Sequence, residues 1–234
     1  KRFEAVYKDI ADPARRSYAA IVSTTDHYIG QIVDKLEALG LRENTIIIFM
    51  SDNGHSEETG NRIRVDNHRS GYPKGHFYGA SGGGSTGKWI GQKGSFLEGG
   101  VRVPAIISYP AKLPKGEVRG QIITAMDWFP TVLDLCGVQQ PSNSPKLDGH
   151  SVLPLIRSAK AKSKYKILHF AWGKKWAVRE GDWKLIGSDG NAKVSLRNLV
   201  DAKPEAKDYA KAKPEIVQRL RILHSDWVKE VSPK

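Results

Sequence analysis

The 234-residue chain holds a single cysteine, Cys136, and two methionines. One thiol excludes an intramolecular disulfide framework and any cysteine-based zinc site, but it leaves the compartment open, since exported bacterial enzymes also lack disulfides. Long hydrophobic runs are missing too. The longest aliphatic and aromatic stretch, Ile46-Ile47-Ile48-Phe49-Met50, falls far short of the about 20 residues a membrane-spanning helix needs. No Met starts the chain and no charged-then-apolar leader is present, so a signal peptide is expected to be absent or to lie upstream of Lys1, and the start reads as cut rather than initiated.

What remains is an ordinary globular composition, 39% hydrophobic and 26% charged, which rules out a disordered or fibrous chain. The net charge of +12 is uneven: residues 1–155 carry 18 basic and 16 acidic groups, residues 156–234 carry 19 and 9. The excess lies in Lys160–Lys166 and Lys203–Lys213, beside Ala, Ser and Pro. These segments read as solvated faces or, less simply, as a surface of the kind that binds nucleic acid or an anionic polysaccharide; of the two, no nucleic-acid partner is expected.

Asp12 and Pro13 make a helix start, followed by apolar Tyr18, Ile21, Val22, Ile29, Ile32, Val33, Leu36 and Leu39, with Gly40 as the stop. Thr45–Ser51 is then an unbroken apolar and β-branched run of the kind buried on both faces of a parallel sheet. Helix followed by buried strand predicts an α/β fold. From Asp52 to Gly100 the character changes. Residues 54–100 hold 13 of the 23 glycines without apolar periodicity, which predicts a long functional loop.

A second buried strand is expected at Ala105–Tyr109. A helix over Thr124–Gly137 should turn Met126, Phe129, Val132, Leu133 and Leu135 inward, with Pro130 in its first turn. Ile167–Trp172, Lys175–Arg179 and Trp183–Ile186, separated by Gly-Lys and Glu-Gly-Asp turns, suit antiparallel hairpins. A last helix starts near Pro214 with Ile216, Val217, Leu220, Leu223 and Trp227 on one face. The division is thus an α/β portion, 1–155, and a small subdomain, 156–234.

Asp52-Asn53-Gly54, at the carboxyl end of the buried strand, offers two oxygen ligands to a hard cation and a glycine for the sharp turn beneath them. The same tripeptide also fits a turn in which Asp and Asn cap their own backbone. His55 beside it could orient an anionic substrate or move a proton, or simply lie exposed. Lys93, between Gln92 and Gly94, can bring a compact positive charge to a tetrahedral oxyanion, though a surface lysine in a flexible loop has the same local sequence. Glu98 and Arg102 read as an ion pair that fixes the loop. Gly82–Lys88 matches a P-loop up to its lysine and fails at Trp89, where Ser or Thr must hold magnesium, so a nucleotide is not expected.

Together these segments resemble the sulfatase family of the alkaline-phosphatase-like superfamily, from about Tyr18 to Val231. The likeness rests on Asp26–Ile32 followed by Leu36–Gly40, on Asn44–Gly54, on Lys93–Pro104 with its Gly-Gly and Arg-x-Pro, on Met126–Gly137, on Asp148–Ser151 and on Val178–Ile186. It implies an alkaline-phosphatase-like sheet with flanking helices and a smaller C-terminal antiparallel hairpin-and-helix subdomain. It also implies hydrolysis of a sulfate ester, with Asp52 and Asn53 as calcium ligands, Lys93 on the sulfate group and His55 near the leaving group. Lys74 and His76, in the insert from Ser56 to Lys88 that also holds His68, are candidate substrate-binding residues.

The family's nucleophile, a formylglycine made in a Cys/Ser-x-Pro/Ala-x-Arg motif, has no counterpart here, and Cys136 does not fit it. The paired N-terminal aspartates are also missing. The chain therefore resembles the C-terminal part, roughly half, of a sulfatase, with the formylglycine expected in the other part and this part expected to be inactive alone. The partner would be a sulfated small molecule or a sulfated polysaccharide, met in the periplasm or outside the cell. A related phosphoester or phosphonate hydrolase, or a non-catalytic fragment that binds sulfated polysaccharide, are the rival readings.

Overall fold

A computed structural model describes residues 2–56, 62–64, 77–79 and 84–232. His68, Lys74 and His76 lie outside the described residues. A short helix α1 (Arg2–Val6) precedes the long α2 (Pro13–Ala38). Helix α2 begins at the expected proline and ends as Gly40 adopts φ +68°; Gly40 N–H then donates to Glu37 O (2.9 Å) and Leu41 N–H to Leu36 O (2.9 Å), the two bonds of a Schellman close. Much of its apolar stripe, including Ile21, Val22, Ile32 and Leu39, is exposed.

Strand β1 (Ile47–Met50) pairs antiparallel with β4 (Ala105–Ser108), Phe49 opposite Ile106. The parallel, doubly buried arrangement expected of Thr45–Ser51 is therefore corrected. An all-apolar run says that both faces avoid water, not which way the neighbour runs, and Phe49 and Ile106 are in fact exposed. The long-loop reading of 52–100 is corrected in part. Two short strands, β2 (Arg62–Arg64) and β3 (Phe77–Gly79), pair antiparallel within it, and α3 (Glu98–Val101) closes it.

Tyr109, Leu113 and Leu135 form a small core with Ile46 and Ile107 beside β1 and β4 and with Leu153 and Ile156 of α5 (Leu153–Arg157). Leu135 comes from α4 (Trp128–Cys136), which carries Pro130 in its first turn and stops at Gly137, φ +68°. Met126 and Phe129, expected inward, are exposed. Asp127, fully buried, organises this corner. Its carboxylate accepts Thr124 N–H (2.7 Å), His150 N–H (2.9 Å) and the Tyr165 hydroxyl (2.6 Å).

The C-terminal sheet runs β5 (Ile167–Trp172), β6 (Lys175–Glu180), β7 (Trp183–Ser188) and β8 (Asn191–Asn198), all antiparallel neighbours in order. Its two faces differ in kind because side chains alternate along each strand. On one face Trp176, Val178, Leu185 and Leu196 bury Leu220 of α6 (Pro214–Val231), with Ile216, Val217 and Leu223 packed around them. On the other, Arg179, Lys184 and Arg197 are cross-strand partners, with Arg179 and Lys184 reaching Glu98 and Arg197 reaching Glu205 O. No described helix is long and apolar enough to cross a membrane.

Candidate active site

Strand β1 delivers Asp52-Asn53-Gly54-His55 at its carboxyl end, where Trp128 Nε1–H donates to Met50 Sδ (2.9 Å) and ties the strand to α4. The turn is internally braced. Asn53 N–H donates to Asp52 Oδ1 (3.0 Å), Asn53 Nδ2–H to Gly54 O (2.9 Å) and Ser51 Oγ–H to Asn53 O (2.8 Å). These are the backbone-capping bonds the turn reading anticipates, and they coexist with an exposed Asp52 carboxylate.

The structure brings Lys93 to this turn. Gly54 N–H donates to Gly100 O (3.0 Å) and Lys93 N–H donates to His55 O (2.9 Å), so the two segments are laced by backbone at both ends of the contact. Glycine is required at the crossing: a Cβ at Gly54 would lie 1.7 Å from Gly99 O, and one at Gly99 would lie 2.3 Å from Gly91 O. Lys93 and Gly94 are exposed at the tip, and Gly94 turns the chain at φ +85°. The Asp52–His55 turn and Lys93 thus meet through their backbones.

Behind the lysine loop stands a buried charge cluster. Lys184 Nζ, with its side chain fully enclosed, donates to Glu98 Oε1 (2.6 Å), Glu205 Oε1 (2.9 Å) and Phe96 O (2.9 Å). Glu205 Oε2 accepts Glu98 N–H (2.7 Å), the buried first amide of α3, which has no acceptor within the helix. Arg179 adds a contact to Glu98 at 3.3 Å, and the expected Arg102 pair closes at 3.5 Å. Burial pushes the Glu98 carboxyl pKa up, but Lys184, Arg179 and Arg102 together outweigh it and hold the group below its ordinary value.

Sequence reasoning found Glu98 and Arg102 but missed Lys184 and Glu205. Lys184 sits in an alternating strand, where a lysine normally marks the wet face. Glu205 lies in the Lys- and Pro-rich segment read as solvated; Pro204 and Glu205 are buried there, while Lys203, Lys207, Lys211 and Lys213 are exposed. Glu205 also adopts φ +61°, a conformation costly for a residue with a Cβ and held here by the bonds to Lys184 and Glu98.

The donors of the Asp52–His55 turn suit a hard cation. Asp52 offers a carboxylate, and Asn53, whose Nδ2 is engaged with Gly54 O, offers its amide oxygen. Among the described residues no three of His, Cys, Asp or Glu cluster into a full metal cage, so these two would form one part of a coordination shell.

The α/β frame with its C-terminal sheet and helix has the alkaline-phosphatase-like fold. Within that fold the chain belongs to the sulfatase family: the family's profile, described as Sulfatase, matches residues 1–138, and a second, N-sulphoglucosamine sulphohydrolase, C-terminal, matches residues 88–214. Steryl-sulfatase of Mus musculus is 34% identical over 70% of this chain and 24% of its own. An uncharacterized sulfatase of Schizosaccharomyces pombe is 30% identical over 91% of this chain and 43% of its own. The chain therefore spans less than half the length of these relatives.

Among solved structures, Ps i-CgsB in complex with k-i-k-neocarrahexaose superposes with a TM-score of 0.74 at 24% identity, covering 97% of this chain and 46% of that one. A phosphonate monoester hydrolase from Silicibacter pomeroyi superposes at 0.58 with 17% identity, covering 92% and 40%. Both likenesses concern the fold.

Proposed function

We propose that this chain is part of a sulfatase that hydrolyses a sulfate ester, with Asp52, Asn53, His55 and Lys93 on its reacting surface. The observation that carries the reading is the lacing of the Asp52–His55 turn to the Lys93 loop through Gly54 N–H to Gly100 O and Lys93 N–H to His55 O, at 3.0 and 2.9 Å. Membership of the sulfatase family supports it.

In this reading Asp52 and Asn53 hold part of the shell of a calcium ion, and a formylglycine outside this sequence completes the site. When bound, these groups supply polarisation of the sulfate oxygens and the nucleophile. The chain's own residues do the rest. Lys93 places an ammonium against the sulfate, neutralising charge that grows on the oxygens as the ester bond breaks, and its loop is fixed beforehand so that no reorganisation is needed. His55, half-buried beside Lys93, carries a proton toward the leaving oxygen. A periplasmic or extracellular setting is proposed with it, on family likeness.

The phosphonate hydrolase shares the frame, so the reaction class needs its own test. The full-length natural protein is assayed with 4-nitrophenyl sulfate and with 4-nitrophenyl phenylphosphonate, before and after treatment with a calcium chelator. Chelator-sensitive release of sulfate, at a kcat/KM well above that for the phosphonate, is expected. The reverse preference would assign the protein to the phosphonate hydrolases, and hydrolysis of neither would leave binding as its role.

A further inference from the structure

The loop-facing side of the C-terminal sheet ends in an exposed tryptophan beside Gly94, the residue that follows Lys93. Leu168, Phe170 and Trp172 share that face of β5, because β5 turns His169 the other way, onto α6, where it stacks on Trp227 at 4.9 Å. Phe170 packs against Phe96 of the lysine loop, ring centroids 6.0 Å apart. Trp172 lies two residues further along, 3.8 Å from where a Cβ would stand on Gly94. Its ring is nevertheless 64% exposed. Nothing in the packing of the sheet requires an indole there, since its cross-strand partner is Lys175 at the tip of a two-residue turn, Gly173-Lys174.

That turn is rigid. Gly173 adopts φ +57°, and Asp189 N–H donates to Lys174 O at 2.7 Å, which fastens the tip of the hairpin to the next one. Lys175 Nζ stands 5.8 Å from the Trp172 ring centre, and Lys174 and Lys93, the chain neighbours of Gly173 and Gly94, are exposed. A flat apolar ring with one ammonium group beside it and two more exposed lysines on the adjoining turns matches a ligand with one apolar face and several anionic substituents. The C–H face of a pyranose ring packs on an indole, and sulfates at its edge meet the lysines. A steroid or other wholly apolar ligand would want an enclosed apolar wall instead, and Gly94, Gly173 and the lysines do not supply one.

We propose that Trp172, with Lys175 beside it, is the stacking platform for a sugar ring of a sulfated saccharide, placed so that a sulfate on the saccharide reaches Lys93. The inference rests on the sulfatase reading above and narrows its substrate to a saccharide. Because the platform is formed before the ligand arrives, its contribution appears in substrate binding more than in the chemical step.

The test uses the full-length natural protein, Trp172→Ala and Trp172→Phe, with carrageenan and heparin hexasaccharides and with 4-nitrophenyl sulfate. Trp172→Ala should raise KM for the cleaved hexasaccharide about tenfold with little change in kcat, and lower the ratio of its kcat/KM to that of 4-nitrophenyl sulfate, while Trp172→Phe recovers part of the loss. An unchanged ratio in Trp172→Ala overturns the platform, since the indole then acts only by shaping the lysine loop. If no sulfate is released from any substrate, the sulfatase reading fails and the platform is judged by binding alone. Hexasaccharide titration should quench the protein's fluorescence in a manner lost in Trp172→Ala; a titration unaffected by the substitution, or no quenching by either hexasaccharide, overturns it.

Discussion

Lys184 Nζ and Glu98 Oε1 lie 2.6 Å apart, with neither side chain appreciably exposed to water, and they join β7 of the C-terminal sheet to the helix that ends the lysine loop. Glu205 completes the arrangement from a third segment. Two carboxylates share one ammonium, with Arg179 at the edge supplying the balancing charge. The cluster holds segment 96–98 against the sheet, and through it the position of Lys93.

Breaking the cluster on its cationic side should therefore be severe. Lys184→Met leaves Glu98 and Glu205 buried without their shared partner, at an expected cost of about 3–5 kcal/mol. Urea unfolding of the two proteins measures it. The carboxylates add a pH signature: because the folded-state pKa of Glu98 lies below its ordinary value of 4.5, its contribution is present above that pH and is lost as pH falls through the lowered value. The acid limb of the wild-type stability curve should shrink in Glu98→Gln.

A second pH effect runs through histidine. His169 and His224 lie between the sheet and α6, with His224 stacked on Trp176 at 4.1 Å, and the Nδ1 atoms of both are buried without a hydrogen-bond partner among the described residues. Burial lowers both pKa values from 6.5; for His169 the neighbouring His224 lowers it further and Glu230 opposes, and for His224 Asp189 opposes. Below pH 6.5 the unfolded chain thus binds more protons than the folded one, so stability falls as pH drops through the window beneath 6.5. Thermal unfolding between pH 8 and about pH 5 should show this slope, and His169→Phe should flatten it.

The crossing of the two site segments gives a sharper structural test. Gly54→Ala places a methyl group 1.7 Å from Gly99 O, a backbone atom that cannot swing aside. The turn and the lysine loop must separate, at a cost of about 1–3 kcal/mol and with loss of turnover. Gly120→Ala, where a Cβ meets nothing within 4 Å, serves as the comparison and should behave like the natural protein. Equal activity in both variants would show that the lacing is not needed.

Much of this was legible in residues. Pro13 and Gly40 mark the ends of α2, the hairpins of the C-terminal sheet follow their turns, and the backbones of the Asp52–His55 turn and the Lys93 loop meet. Pairing direction was not legible, since Ile47–Met50 is apolar throughout and alternation, the usual guide to a neighbour, is absent. Strand β8 escaped because its first three residues, Asn191-Ala192-Lys193, are exposed and polar or small. Lys184 and Glu205 escaped for a different reason: a buried charge is defined by its partners, and Glu98 stands 86 positions from Lys184 along the chain. Trp172 read as one more apolar strand residue until the fold set Gly94 against it.

The central claim is that Lys93 acts on the sulfate group, and single-turnover kinetics of Lys93→Ala in the full-length protein test it most directly. The account predicts a fall in the rate of sulfate release of about 10²–10³, or about 2.7–4 kcal/mol of transition-state stabilisation, with the unfolding midpoint unchanged because the side chain is exposed. Turnover equal to that of the natural protein would contradict it and remove Lys93 from the mechanism.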